Sequence, residues 1–254
     1  MVIDALASPA QGERLLASVR AATTQPVLWL VLTHHHPDHH FGAIVFRRLG
    51  AKVIAHPDRR TLASEAGENA LIADWVRVAG LDAMRGFEFA DMPDRPVTSS
   101  DTLRVGGRTL VISHPGAAHS PGDLVVWLPQ ERVLFAGDLL VEDGVTMVVD
   151  GDSRVLLTAL AGIDSLGPRV MVPGHGALPA PPTALLARTR EYFTGLQSDM
   201  RAAVEKGIPM QRAMAQLPPA DPERPVSLNS RKRRNAVRVY LEEERAYMGL
   251  ESSP

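Results

Sequence analysis

The chain has 254 residues, 45% hydrophobic and 22% charged, enough for one large domain or two small ones around a real core. It contains no cysteine, which excludes disulfides, thiolate nucleophiles and thiolate metal ligands, so any metal site must use histidine and carboxylate. The formal net charge of −2 gives no argument for nucleic acid or an anionic membrane; the longest apolar run, Val27 to Leu32, is too short to span a bilayer, and no signal peptide is visible.

In chain order, Met1-Val2-Ile3 reads as the end of a strand. Ser8-Pro9 then offers a helix N-cap with proline at the first helical position, and Leu15, Leu16 and Val19 supply an apolar face. Val27 to Leu32 is a continuous apolar run with β-branched residues, as in a buried strand. A histidine-rich loop follows, then a helix from Phe41 to Leu49 and a short strand from Lys52 to Ala55. Pro57 to Val78 reads as mainly helical, and the proline-punctuated stretch from Phe87 to Ser100 as loop. Strands are expected at Asp101 to Val105, Arg108 to Ser113, Asp123 to Leu128 and Val133 to Ala136, with Gly106-Gly107 as a hairpin turn. Val155 to Leu166 has helical periodicity, and Arg169 to Val172 is a further short strand. Helices follow Pro182, with a proline-rich break from Leu217 to Pro225 and a last helix from Ser230 to Tyr247. An apolar stripe of Ala236, Val239, Tyr240 and Tyr247 should dock that helix. The alternation of strands and helices indicates an α/β fold with a mixed sheet.

Five of the nine histidines fall between His34 and His40, in the run Thr33-His34-His35-His36-Pro37-Asp38-His39-His40. This run directly follows a strand, so its side chains project from a rigid end. In an extended segment His34, His36 and Asp38 share a face and His39 is offset, and Pro37 disfavours helix at His36. Imidazole and carboxylate are the ligands that zinc takes. His35 and His40 fit no ligand position and are expected behind the ligands or toward solvent. One loop cannot complete two tetrahedral sites. Three further candidates stand at strand ends beside small residues: His119 in Pro115-Gly116-Ala117-Ala118-His119-Ser120, Asp138 in Phe135-Ala136-Gly137-Asp138, and His175 in Val172-Pro173-Gly174-His175-Gly176.

From Ile3-Asp4 to His175 these segments resemble the metallo-β-lactamase superfamily, in order and in spacing. The resemblance implies an αββα sandwich, here lacking the first N-terminal strands and carrying additional C-terminal helices. It assigns residues 1–180 to the catalytic domain and 181–254 to a helical extension packed on it. It also implies two zinc ions, with iron or manganese as other options. His34, His36 and His119 would hold the first ion, Asp38, His39 and His175 the second, and Asp138 would bridge them. Asp4 would support the loop without being a ligand, whereas His56 and His114 match no ligand position and are expected to be structural. Two such ions acidify a shared water toward a pKa of about 7 for attack on a carbonyl, with Asp38 as the catalytic residue that orients it.

The stretch from Pro115 to Leu140 is similar to the B1 β-lactamases, but Asp138 stands where those enzymes have cysteine, His39 where they have arginine, and Val141 where they usually carry lysine. This places the second metal site with glyoxalase II and the lactonases. The expected function is a zinc-dependent hydrolase of an ester, thioester or lactone. β-Lactam hydrolysis is the first alternative; an iron-dependent persulfide dioxygenase or a non-catalytic metal-binding protein is the second. The partner is a small-molecule substrate, with no nucleic acid or membrane partner; Arg231-Lys232-Arg233-Arg234 reads as a solvated face. The C-terminal helices contain Tyr192, Phe193, Tyr240 and Tyr247, read as packing residues, and could also form a homodimer surface. The family's usual strand pair before Val2-Ile3-Asp4 has no counterpart, so a longer natural chain is expected. The compartment stays open: cytoplasm by default, periplasm if a leader precedes Met1.

Overall fold

The computed structural model describes residues 1–58, 65–148, 150–178, 181–217 and 226–250, and these form two compact units. The first comprises Met1–His114 and Pro121–Gln130, the second Pro115–Ser120 and Glu131–Pro254.

The first unit opens with β1 (Val2–Ile3), α1 (Pro9–Ala22) and β2 (Trp29–Val31). Ser8 caps α1 as its sequence predicts, its hydroxyl accepting from the Gln11 backbone N–H at 3.2 Å with Pro9 in the first turn. After β2 come α2 (Pro37–His40), α3 (Ala43–Arg47), β3 (Lys52–Ala55), α4 (Glu65–Ala79) and β4 (Arg95–Pro96). The four strands form one parallel sheet in the order β1-β2-β3-β4, with Val2 opposite Leu30 and Leu30 opposite Val53. Leu16 of α1, Leu30 of β2, Val53 of β3, and Ile44 and Phe46 of α3 are buried in one core. At about 25 cal/mol per Å² of apolar surface, this burial is the main term holding the layers. β5 (Ser100–Val105), β6 (Arg108–Ser113) and β7 (Val125–Leu128) form an antiparallel meander. Gly106 and Gly107 make its two-residue turn, with φ of 58° and 78°, the left-handed values that such a turn demands and glycine supplies.

The strand expected from Val27 to Leu32 is shorter at its start: β2 begins at Trp29, and Leu28 is 56% exposed. The helix expected from Phe41 to Leu49 begins earlier and in two pieces. Pro37 opens α2 with His36 as its cap residue, so the loop is extended only as far as His36. Proline fits the first helical position because it has no N–H to leave unsatisfied. Asp38 and His39 therefore leave a helical turn. Of the segment expected to be helical from Pro57 to Val78, positions 59–64 lie outside the described residues.

The second unit contains β8 (Val133–Val141), α5 (Ser153–Ser165) and β9 (Val170–His175), a β-α-β crossover with β8 and β9 parallel. Both strands run further than sequence predicts. β8 passes through Gly137 and Asp138 to Val141, with register shifts on either side of Gly137, whose φ is 52°. Such irregularities re-aim a side chain without ending the strand. α6 (Pro182–Glu205), α7 (Met210–Gln216) and α8 (Val226–Tyr247) follow. Leu196, Met200, Met214, Ala236, Val239 and Tyr240 make a core among them. Tyr240 and Phe193 are packing residues as expected, but Tyr247 is 68% exposed and lies outside the stripe. The expected break at Leu217 to Pro225 lies, beyond Leu217, outside the described residues. No described helix is long and apolar enough to cross a membrane.

The first unit's backbone packs tightest at Gly42, where an added Cβ would lie 2.0 Å from the Ala5 carbonyl oxygen. The Gly42 N–H donates to Leu6 O at 3.1 Å, so the neighbour is held in place. Gly42→Ala should cost about 2–3 kcal/mol through overpacking, read as a lower urea midpoint at unchanged m-value.

Candidate metal centre

In the first unit the histidine loop is organised by the Asp4 carboxylate. Its Oδ1 accepts the Thr33 backbone N–H at 2.8 Å, and its Oδ2 accepts the Thr33 hydroxyl at 2.9 Å and His39 Nδ1–H at 2.8 Å. Because the Thr33 hydroxyl spends its proton on Asp4, the contact between Thr33 Oγ1 and His34 Nδ1 at 3.0 Å must be donated by the ring. Asp4 thereby sets both tautomers: His34 and His39 carry their protons on Nδ1 and present Nε2 as a lone pair. The geometry comes at a cost. Asp4 and Leu6 have φ of 57° and 65°, left-handed values that disfavour residues with a Cβ. The turn is fixed by Asp4 N–H to Val31 O at 2.8 Å and Ala5 N–H to His39 O at 2.7 Å. Such strain persists where surrounding bonds over-determine it.

His34 Nε2 stands 3.1 Å from His36 Nδ1, and His39 Nε2 stands 3.6 Å from Asp38 Oδ2. A tetrahedral zinc with bonds of about 2.1 Å spaces its donor atoms by roughly 3.4 Å. Both pairs are spaced as ligands to a common cation are.

In the second unit, His119 donates Nδ1–H to the Met147 carbonyl at 2.6 Å, which again leaves Nε2 as the lone-pair atom. Asp138 Oδ2 lies 3.7 Å from His119 Nε2 and 3.4 Å from His175 Nε2. His175 ends β9, and Asp138 sits in the irregular part of β8. Gly174 is required between them: a Cβ there would stand 1.9 Å from Asp138 Oδ1. The residues in each unit thus fit a metal by donor chemistry and spacing, and His34, His39 and His119 also by tautomer.

His35 and His40 are both about 5% exposed, so neither faces solvent. His40 Nδ1 lies 3.6 Å from Asp91 Oδ2, and its ring meets Phe41 edge-on at 4.9 Å. His56 and His114 pair with each other, ring centroids 4.3 Å apart. His114 Nδ1 donates to Asp123 O at 2.8 Å, while His56 Nδ1 accepts the Asp58 N–H at 3.0 Å. In the basic run Lys232, Arg233 and Arg234 are exposed, and Arg231 lies 3.6 Å from Asp143. Sequence alone gives Thr33 no role, and it does not mark Met147, which acts through a backbone carbonyl that no side-chain pattern reveals.

The metallo-β-lactamase superfamily profile matches residues 1–175. The chain is 26% identical over 180 residues to metallo-beta-lactamase type 2 of Bacteroides fragilis, covering 69% of this chain and 64% of that protein. It is 27% identical over 179 residues to the atrochrysone carboxyl ACP thioesterase of Aspergillus fumigatus, covering 70% and 47%. It is 26% identical over 175 residues to a hydroxyacylglutathione hydrolase of Acidiphilium cryptum, covering 68% and 59%. The matches therefore span about half to two thirds of these relatives' lengths. Among solved structures, a metallo-beta-lactamase family protein from Thermus thermophilus superposes with a TM-score of 0.69 at 21% identity, covering 97% of this chain and 84% of that one. The chain belongs to the metallo-β-lactamase superfamily and has its α/β fold. Its relatives include hydrolases of several substrate classes.

Two outcomes follow from this geometry. Gly174→Ala must displace Asp138 and should weaken zinc binding at least about tenfold, measured by competition with a chromophoric chelator. His56 supplies the second. Burial, and then the neighbouring His114 ring, push its pKa below the ordinary value. The unfolded chain therefore takes up this proton first, near pH 6.5, and this contribution to stability is complete above that pH and falls away below it. The urea midpoint should drop between pH 7.5 and 5.5, and His56→Gln should flatten that drop.

Proposed function

We propose that the protein is a metal-dependent hydrolase of ester, thioester or lactone carbonyls. On this reading His34, His36 and His119 would hold one zinc ion and Asp38, His39 and His175 a second, with Asp138 available to either. The observation that carries this reading is the donor set. Every ligand candidate is an imidazole or a carboxylate, and the chain has no cysteine to make the thiolate site of the B1 β-lactamases. Two relatives whose names describe thioesterase and acylglutathione hydrolysis support the substrate class.

When bound, the metal supplies positive charge that acidifies a water and polarises the scissile carbonyl. The chain's own residues do the rest. Asp4 and Met147 O hold His39 and His119 in the tautomer that offers Nε2. Thr33 does the same for His34. Asp38, about a third exposed at its side chain, would orient the attacking water toward the carbonyl carbon. No side-chain nucleophile takes part. The substrate is a small molecule.

β-Lactam hydrolysis is the second reading, favoured by the Bacteroides relative and by the segment from Pro115 to Leu140. A zinc-loaded preparation assayed on thioesters, lactones and β-lactams separates the two. Turnover of a thioester or lactone is expected, with loss of at least about 100-fold in Asp38→Ala or His119→Ala together with loss of metal. Metal analysis should give two zinc ions per chain. One iron per chain, or full activity in either metal-depleted variant, would overturn the assignment.

A further inference from the structure

The ring proton of His119 is placed by a carbonyl, and that carbonyl is itself held from far along the chain. His119 donates Nδ1–H to Met147 O at 2.6 Å. Met147 lies between β8 and α5, where residues 142–148 and 150–152 have no regular structure. Such a stretch cannot by itself fix a carbonyl to a fraction of an ångström. The residues on either side of Met147 are gripped by one side chain. Asn235 of α8 donates Nδ2–H to Thr146 O at 2.7 Å, and its Oδ1 accepts the Val148 N–H at 3.1 Å. Asn235 has no solvent exposure, so both bonds form in a low-dielectric setting where they are strong and costly to lose.

Between the two gripped residues the Met147 peptide has one orientation, with its carbonyl turned to His119. Thr146 adds a second tie, its hydroxyl donating to the Asp138 backbone carbonyl. Two helical turns beyond Asn235, Glu242 anchors the same face of α8 to Ser153, the first residue of α5. It accepts the Ser153 hydroxyl at 2.5 Å and Arg238 Nε–H at 2.9 Å, and Gln197 Nε2–H donates to Ser153 Oγ at 2.7 Å. Burial raises the Glu242 pKa, and the Ser153 hydrogen bond opposes that rise. Glu242 thus seats the helix, while Asn235 reaches the carbonyl that sets the ligand.

We infer that Asn235 is a positioning residue for the metal centre, acting through Thr146, Met147 and Val148 to hold His119 with Nε2 toward the metal. This inference rests on the reading of His119 as a ligand. It gives the C-terminal helical segment a role in the site that the family match, ending at residue 175, does not cover.

The test uses the full chain and zinc or cobalt(II) alone. Asn235→Leu removes both hydrogen bonds at similar volume. Asn235→Asp keeps the acceptor for Val148 N–H and loses the donor to Thr146 O. Glu242→Gln is the control that loosens the helix seat without touching residues 146–148. Zinc affinity is read by chelator competition, and ligand geometry by the cobalt(II) d–d spectrum. Asn235→Leu should weaken zinc about 10- to 100-fold, with Asn235→Asp in between, and both should shift the cobalt spectrum. Glu242→Gln should lower Tm while leaving affinity and spectrum near those of the parent. If Asn235→Leu does not fold, Asn235→Asp carries the same readouts.

Unchanged zinc affinity and spectrum in a folded Asn235 variant would overturn the inference. An equal loss in Glu242→Gln would also overturn it, since the effect would then be general helix docking. His119→Ala is measured in parallel. If it too leaves zinc affinity intact, the ligand reading fails; if it lowers affinity while Asn235 variants do not, only the positioning role fails.

Discussion

The Asp4 carboxylate is the constraint on which the first unit's chemistry depends. One side chain accepts three hydrogen bonds, from the Thr33 amide, the Thr33 hydroxyl and His39 Nδ1. Each fixes something different: the path of the backbone leaving β2, the direction of the Thr33 hydroxyl and through it the His34 tautomer, and the His39 tautomer. A neutral imidazole has one proton and one lone pair, so placing the proton on Nδ1 is equivalent to aiming the lone pair on Nε2. The left-handed backbone at Asp4 and Leu6 is the strain accepted for bringing that carboxylate under the loop. Gly42 belongs to the same arrangement, because only a residue without Cβ lets the backbone after α2 approach Ala5.

The second unit solves the same problem with a neutral acceptor. Met147 O takes the place that Asp4 has in the first unit, and it fixes His119. The two acceptors differ in electrostatic consequence. An ionised carboxylate adds negative charge behind its imidazole and makes it a stronger donor to a cation, whereas a carbonyl adds only a dipole. A peptide carbonyl in an irregular segment has to be held by its neighbours, and this is the work of Asn235 and Thr146.

How much of this was legible in the sequence follows from how local each feature is. The Ser8-Pro9 cap, the Gly106-Gly107 turn and the limits of β3 are set by a few adjacent residues and read directly. The ligand candidates were legible for the same reason, being rare residue types crowded at strand ends. Pro37 keeps His36 extended as expected, but the same residue is well suited to start a helix, so Asp38 leaves a helical turn and not an extended segment. The strand expected to end at Ala136 continues, because a parallel partner in β9 sustains pairing through the irregularity to Val141. The tie between Asn235 and Thr146 spans 89 positions. Nothing in the composition of α8 distinguishes that asparagine from a solvated one, and Met147 contributes only its backbone.

The same distinction bears on where function is specified. A ligand set of histidines and carboxylates is short-range information, and it argues for a class of chemistry: a cation with hard and borderline donors, water activation, and attack on an electrophilic carbon. What tunes that chemistry is longer-range. The basicity of each imidazole depends on what accepts its other proton, and those acceptors are held by β1 in one unit and by α8 in the other. Two chains with identical ligands can therefore differ in metal affinity and in the nucleophilicity of the water through residues that never touch the metal. In this chain the separation is sharp. The seven proposed ligands all lie within residues 1–175, where the family profile matches, while one of the two holds on the acceptors lies outside it, in the C-terminal helix. A change in α8 could therefore alter the reactivity of the site without altering a single ligand.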